Sequence, residues 1–201
     1  MKEPSADSFA AALAALRRGA AVVFPTETFY GLGADALDAA AVERVAALKG
    51  RGAASPIAVI VADRAMLAQV VSDIPPAAEK LIARFWPGPL TLVLPAKRGV
   101  PAPLVNSAGK IGARVSSHPA AARLARELGR PLTATSANPS EKDPARSIAQ
   151  ARVYFEEKIG VYLDGGELTG KAASTVAEIS GGEVTIIRAG AIAAEELKKW
   201  L

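Results

Sequence analysis

The chain has 201 residues, 50% hydrophobic and 22% charged, a balance that suits a folded globular protein and argues against a disordered or fibrous one. It has no cysteine and one histidine, His118, which excludes disulfides, thiolate metal sites, cysteine nucleophiles and multi-histidine metal sites. Lys and Arg number 24 against 20 Asp and Glu, and the formal charge of +4 points to an anionic partner, either nucleotide phosphates or an RNA backbone. No apolar run approaches the roughly 18 residues that span a membrane, and Arg17-Arg18 interrupt the Ala-rich start where a signal peptide would carry its cleavage region. A cytoplasmic location is therefore expected.

In chain order, Phe9, Leu13 and Leu16 form one stripe of a helix over 8–18 that stops at Gly19, and Ala20 to Phe24 follow as a buried strand. A loop leads to a helix over 39–49 that ends at Gly50. Ile57 to Val61 read as an apolar strand, and Asp63 as the cap of the next helix. Pro75-Pro76 open a helix carrying Leu81, Ile82 and Phe85, which Trp86-Pro87-Gly88-Pro89 ends before the strand Thr91 to Leu94. Ile111 to Val115 is a strand, Ala120 to Leu128 a helix ended by Gly129, and Leu132 to Thr135 a strand. Ser147 caps a further helix, and Val161 to Leu163 form a short strand. Ser174 to Ile179 and Val184 to Arg188 flank Gly181-Gly182 as a hairpin, in which a two-residue turn sets Ser180 against Glu183 and Thr175 against Arg188. The alternation of strands and helices, without internal repeat or linker, is an α/β signature.

Two glycine patterns resemble nucleotide motifs and fail on context. Gly31-Leu32-Gly33-Ala34-Asp35-Ala36 starts seven residues after Phe24 instead of at the strand tip, and no acidic residue follows at the ribose-binding distance. Gly165 through Gly170-Lys171-Ala172 puts Ala where a P-loop needs Ser or Thr, and a strand follows where a helix N-terminus must hold the phosphates.

Polar segments remain where strands end, the usual place for ligands in open α/β sheets. They are Pro25 to Gly33, Lys49-Gly50-Arg51, Thr135-Ser136-Ala137-Asn138, and Ser174-Thr175 with Arg188. They supply cations, hydroxyls and an amide, with Glu27 the one carboxylate and no nucleophile paired to a base, so the set suits the holding of anions.

The blocks at 25–33, Lys49-x-Arg51, Trp86-Pro87-Gly88-Pro89-Leu90-Thr91, Ser136-x-Asn138, and Ser174-Thr175-Val176 with Arg188-x-Gly190 occur in this order over nearly the whole chain. In them the sequence resembles the YrdC-domain threonylcarbamoyl-AMP synthases. The resemblance implies a single YrdC-like domain over residues 1–201 without the second domain of longer relatives. It implies a twisted mixed α/β sheet with flanking helices and a deep basic cleft. It also implies synthesis of threonylcarbamoyl-adenylate and pyrophosphate from L-threonine, bicarbonate and ATP, for tRNA threonylcarbamoyladenosine at A37.

By the same resemblance Lys49 and Arg51 stabilise charge at the reacting phosphates, and both are expected to be exposed in the cleft. Thr28, Arg114, Ser136 and Ser174 contact threonine, with Arg114 on its carboxylate. Ser55, Ser136, Asn138 and Arg188 join Lys49 and Arg51 on ATP. Mg2+ arrives with the triphosphate, since no carboxylate cluster offers a protein cage. The implied partners are the downstream tRNA threonylcarbamoyl-transferase proteins and, weakly, tRNA itself. The chain departs from the family at Arg114-Val115-Ser116-Ser117-His118, where relatives commonly read Arg-x-Pro-x-His, and at Pro139-Ser140 after Asn138, where Ser-Gly is usual. His118 reads as structural, Trp86 and Tyr30 as packing residues. Two alternatives stay open: an RNA-binding module without this activity, and a carbamoyl-AMP-forming domain.

Overall fold

Helix-capping residues set the frame. In the computed structural model, which describes residues 2–50, 56–170, 172–180 and 182–201, Ser5 caps α1 (Ala6–Arg17), which buries the stripe Phe9, Leu13 and Leu16. The Asp38 carboxylate accepts from the N–H groups of Ala40 and Ala41 and starts α2 (Ala39–Lys49), which Gly50 ends in the left-handed conformation at φ +60°. Asp63 caps α3 (Arg64–Leu67), and Pro76 opens α4 (Pro76–Phe85). His118 caps α5 (Pro119–Leu128) through Nδ1, and Ser147 caps α6 (Ile148–Phe155). A last helix that the sequence reading does not anticipate, α7, covers Ala194–Lys198.

The strands are β1 (Val22–Phe24), β2 (Gly31–Gly33), β3 (Val59–Ile60), β4 (Leu90–Pro95), β5 (Lys110–Arg114), β6 (Leu132–Thr133), β7 (Thr135–Ser136), β8 (Val161–Tyr162), β9 (Thr175–Ser180) and β10 (Glu183–Arg188). They build two mixed sheets, ordered β7-β2-β1-β8 and β10-β9-β4-β5-β3-β6. The expected mixed α/β fold is thus built from two sheets, and an extensive apolar cluster including Phe24, Leu32, Ile60, Leu92 and Leu124 fills the interior. No helix among the described residues is long and apolar enough to cross a membrane.

Two differences from the sequence reading shape the site. Gly31 to Gly33 is a strand antiparallel to β1, Phe24 opposite Gly31, and this also removes the dinucleotide-loop reading of that stretch. The expected strand Leu132 to Thr135 changes partners midway: Leu132 and Thr133 pair with β3, whereas Thr135 and Ser136 pair with β2. An apolar run reports extension but not which neighbour supplies its hydrogen bonds. One extended segment therefore joins the two sheets and carries Ser136 to where they meet.

Candidate active site

Strands β9, β4 and β5 lie side by side, and alternate residues on one face of each form the floor of a cavity of about 500 Å³: Ser174 and Val176, Thr91 and Val93, then Lys110, Gly112 and Arg114. The opposite wall comes from residues 26, 28–31 and 134–136 around the smaller sheet. Three cations line the cavity, Lys110, Arg114 and Arg188, and no carboxylate does so among the described residues. The carboxylates sit behind the cations. Glu27 pairs with Arg114, and Glu178 with Lys110.

Thr28, Arg114, Ser136, Ser174 and Arg188 all line this cavity, Arg114 and Ser174 from its floor and Thr28 and Ser136 from the opposite wall. Thr28 is fixed by Thr26, whose Oγ1 lies 3.0 Å from the Thr28 hydroxyl, accepts from the Thr28 N–H and donates to the Phe29 carbonyl at 2.6 Å. Arg114 is only 6% exposed. Burial lowers its pKa and the Glu27 charge opposes that, so the guanidinium stays a cation inside the protein.

The hairpin register holds at its closed end, where Glu183 faces Ser180 and Ile186 faces Ala177, but Arg188 pairs with Val176 and not with Thr175. The reason is a bulge between Ile186 and Arg188, which an even count across the turn does not foresee. The extra residue sets Arg188 beside Ser174 on the cavity wall, donating to its carbonyl at 2.8 Å and its hydroxyl at 3.1 Å. Thr175 is fully buried, bonded through Oγ1 to the backbone of Ile192. Gly190 makes this crossing possible, because a Cβ there would stand 2.4 Å from the Ala173 carbonyl oxygen and 2.5 Å from the Thr175 nitrogen.

Lys49 departs most from expectation. It is 1% exposed instead of open to the cleft. Its ammonium donates to the Ser136 carbonyl at 2.7 Å and to the carbonyl of Asn138, with the Asn138 side-chain oxygen at 3.3 Å. The Asn138 amide in turn donates to the carbonyls of Pro139 and Lys142, so residues 136–142 wrap the head of a helix-end lysine that would otherwise be solvated. Lys49 and Asn138 stand behind Ser136 and off the wall of the main cavity. Arg51 and Ser55 lie outside the described residues.

Arg146 stacks over Phe29 with its guanidinium carbon 5.3 Å from the ring centroid. Tyr30 is buried, its hydroxyl donating to the Gly166 carbonyl at 2.6 Å and accepting from the Gly165 N–H, and Trp86 donates to the Leu90 carbonyl. His118 is structural through its cap, but its Nε2 is buried without a partner among the described residues, and burial pushes its pKa below the ordinary value against the pull of Glu27. Sequence reasoning missed Lys110, Asn106 and Thr91 on the wall. The signal for Lys110 was present: in a strand, Lys110 and Arg114 fall on one face, and Ile111 and Ala113 on the other face are buried.

Among the described residues, the cavity between the two mixed sheets is lined by cations and no carboxylate, an environment suited to anions. The Sua5/YciO/YrdC profile, described as telomere recombination, matches residues 14–190, and the chain belongs to that family. The threonylcarbamoyl-AMP synthase of Pyrococcus abyssi is 40% identical over 184 residues, 92% of this chain and 54% of its own length, so this chain spans about half of that relative. The threonylcarbamoyl-AMP synthase of Halorhodospira halophila is 41% identical over 154 residues, 77% of this chain and 81% of its own. The crystal structure of P. abyssi Sua5 complexed with L-threonine superposes with a TM-score of 0.91 at 38% identity, over 96% of this chain and 57% of that one.

Proposed function

We propose that the chain is a threonylcarbamoyl-AMP synthase, a nucleotidyltransferase that makes L-threonylcarbamoyladenylate, pyrophosphate and water from L-threonine, bicarbonate and ATP. The carrying observation is the cavity wall, which offers Lys110, Arg114 and Arg188, several hydroxyls and no carboxylate among the described residues, in a chain about 40% identical to synthases. The threonine amine takes up carbon dioxide as a carbamate. A carbamate oxygen then bonds to the α-phosphorus of ATP as the bond to pyrophosphate breaks, so negative charge builds on phosphate oxygens, and fixed cations lower that barrier.

In this reading Arg114 takes the threonine carboxylate as a bidentate pair, with Thr28, Ser136 and Ser174 around the rest of the amino acid. Arg188 takes ATP phosphates and Ser136 holds the nucleotide, on a turn that Lys49 and Asn138 fix from behind; Arg51 and Ser55 complete the ATP contacts. Magnesium enters on the triphosphate. The adenylate passes in the cytoplasm to transferase proteins that modify A37 of tRNA. With carbon-13 bicarbonate, the account expects mass-labelled threonylcarbamoyl-AMP when threonine and MgATP are both present. Label in an adenylate without threonine would favour a carbamoyl-AMP-forming enzyme.

A further inference from the structure

We infer that Glu27 is a positioning residue: it grips Arg114 from outside the cavity and aims the guanidinium at the carboxylate of threonine. The inference rests on the reading of Arg114 given above. Glu27 stands between Thr26 and Thr28, which line the cavity, yet is itself off the wall. Its Oε1 accepts from Nη1 of Arg114, and its Oε2 accepts from the hydroxyl of Ser116. A carboxylate held at both oxygens cannot swing away.

Ser116 is equally fixed. It is buried, and its Oγ accepts from the backbone N–H of His118 at 3.2 Å, the residue that caps α5. A continuous chain thus runs from the start of α5 through Ser116 and Glu27 to Arg114. A guanidinium carries five N–H donors in a rigid fork. Glu27 occupies one side and leaves the side toward the cavity for a second carboxylate. Without Glu27, Arg114 would be a buried cation lacking its ion-pair partner, and each threonine bound would have to order it. Glu27 is poorly placed to serve as a base, because both oxygens are engaged and neither reaches the wall. Lys110 repeats the arrangement, lining the cavity and gripped by Glu178, which does not.

The test is calorimetric titration of L-threonine, and separately of MgATP, into wild type, Glu27→Gln, Ser116→Ala and Arg114→Gln. Glu27→Gln is expected to raise the threonine Kd roughly tenfold, and Ser116→Ala to raise it less, with ATP affinity unchanged in both. Saturating threonine should restore near-wild-type pyrophosphate release. Unchanged threonine affinity in Glu27→Gln beside weakened binding in Arg114→Gln overturns the positioning role alone. Unchanged threonine affinity in folded Arg114→Gln overturns the carboxylate reading and this inference with it. Parallel loss of threonine and ATP affinity in Glu27→Gln marks a general structural role and also overturns it. If Glu27→Gln is unfolded, Ser116→Ala carries the test, and unchanged threonine affinity there is decisive against the inference.

Discussion

Arg188 donates to both the carbonyl and the hydroxyl oxygen of Ser174, at 2.8 and 3.1 Å, and so links two residues assigned to different substrates. Arg188→Ala is expected to weaken ATP binding by ~1.5–3 kcal/mol through the lost charge-assisted hydrogen bonds. Ser174→Ala should act mainly on threonine. Because the two side chains touch, the double variant should deviate from additivity by at least ~0.5 kcal/mol. Titration of single and double variants with each ligand measures this. Unchanged ATP affinity in a folded Arg188→Ala protein would return the hairpin to a structural role.

Lys49→Ala should lower both stability and turnover. The ammonium satisfies the carbonyls of Ser136 and Asn138 from a buried position, so its removal leaves acceptors unpaired and empties the space of its stem. A loss of about 3 kcal/mol, or roughly 6–12 °C in Tm, is expected. Turnover should fall on the order of 100-fold as the Ser136 turn loosens. Lys49→Ala with wild-type Tm would contradict the buried role, and scanning calorimetry decides it.

His118 sets a pH dependence. Burial lowers its pKa from the ordinary 6.5, so the folded protein prefers the neutral ring more than the unfolded chain does. Between the folded and unfolded values the unfolded chain binds more protons, and stability falls as pH drops below 6.5. His118→Asn keeps an N-cap without a titrating group. Its denaturation free energy should depend less on pH across that range. Equal slopes in wild type and variant would exclude His118 as their source.

Local chemistry was legible in the sequence, long-range contact was not. The stripe of α1, the caps Asp63 and Ser147, and the stops at Gly50 and Gly129 follow from spacing and residue type alone. So does the closed end of the hairpin. The bulge that brings Arg188 to Ser174 depends on packing of residues 190–192 against 173–175, which no turn count contains. Lys49 reads as an exposed cation of the cleft until a turn 87 residues further on closes over it. The split of Leu132 to Ser136 between two sheets is likewise invisible to periodicity. Lys110 could have been found by taking the alternation of β5 seriously on its polar face.

The most direct measurement is pyrophosphate release by the purified protein with MgATP and bicarbonate, with L-threonine, with L-serine and with no amino acid. The account predicts release that depends on threonine and is smaller with serine, a finite preference because one methyl group contributes only ~1–3 kcal/mol. Release at the same rate with or without threonine, or none at all from folded protein, would contradict it.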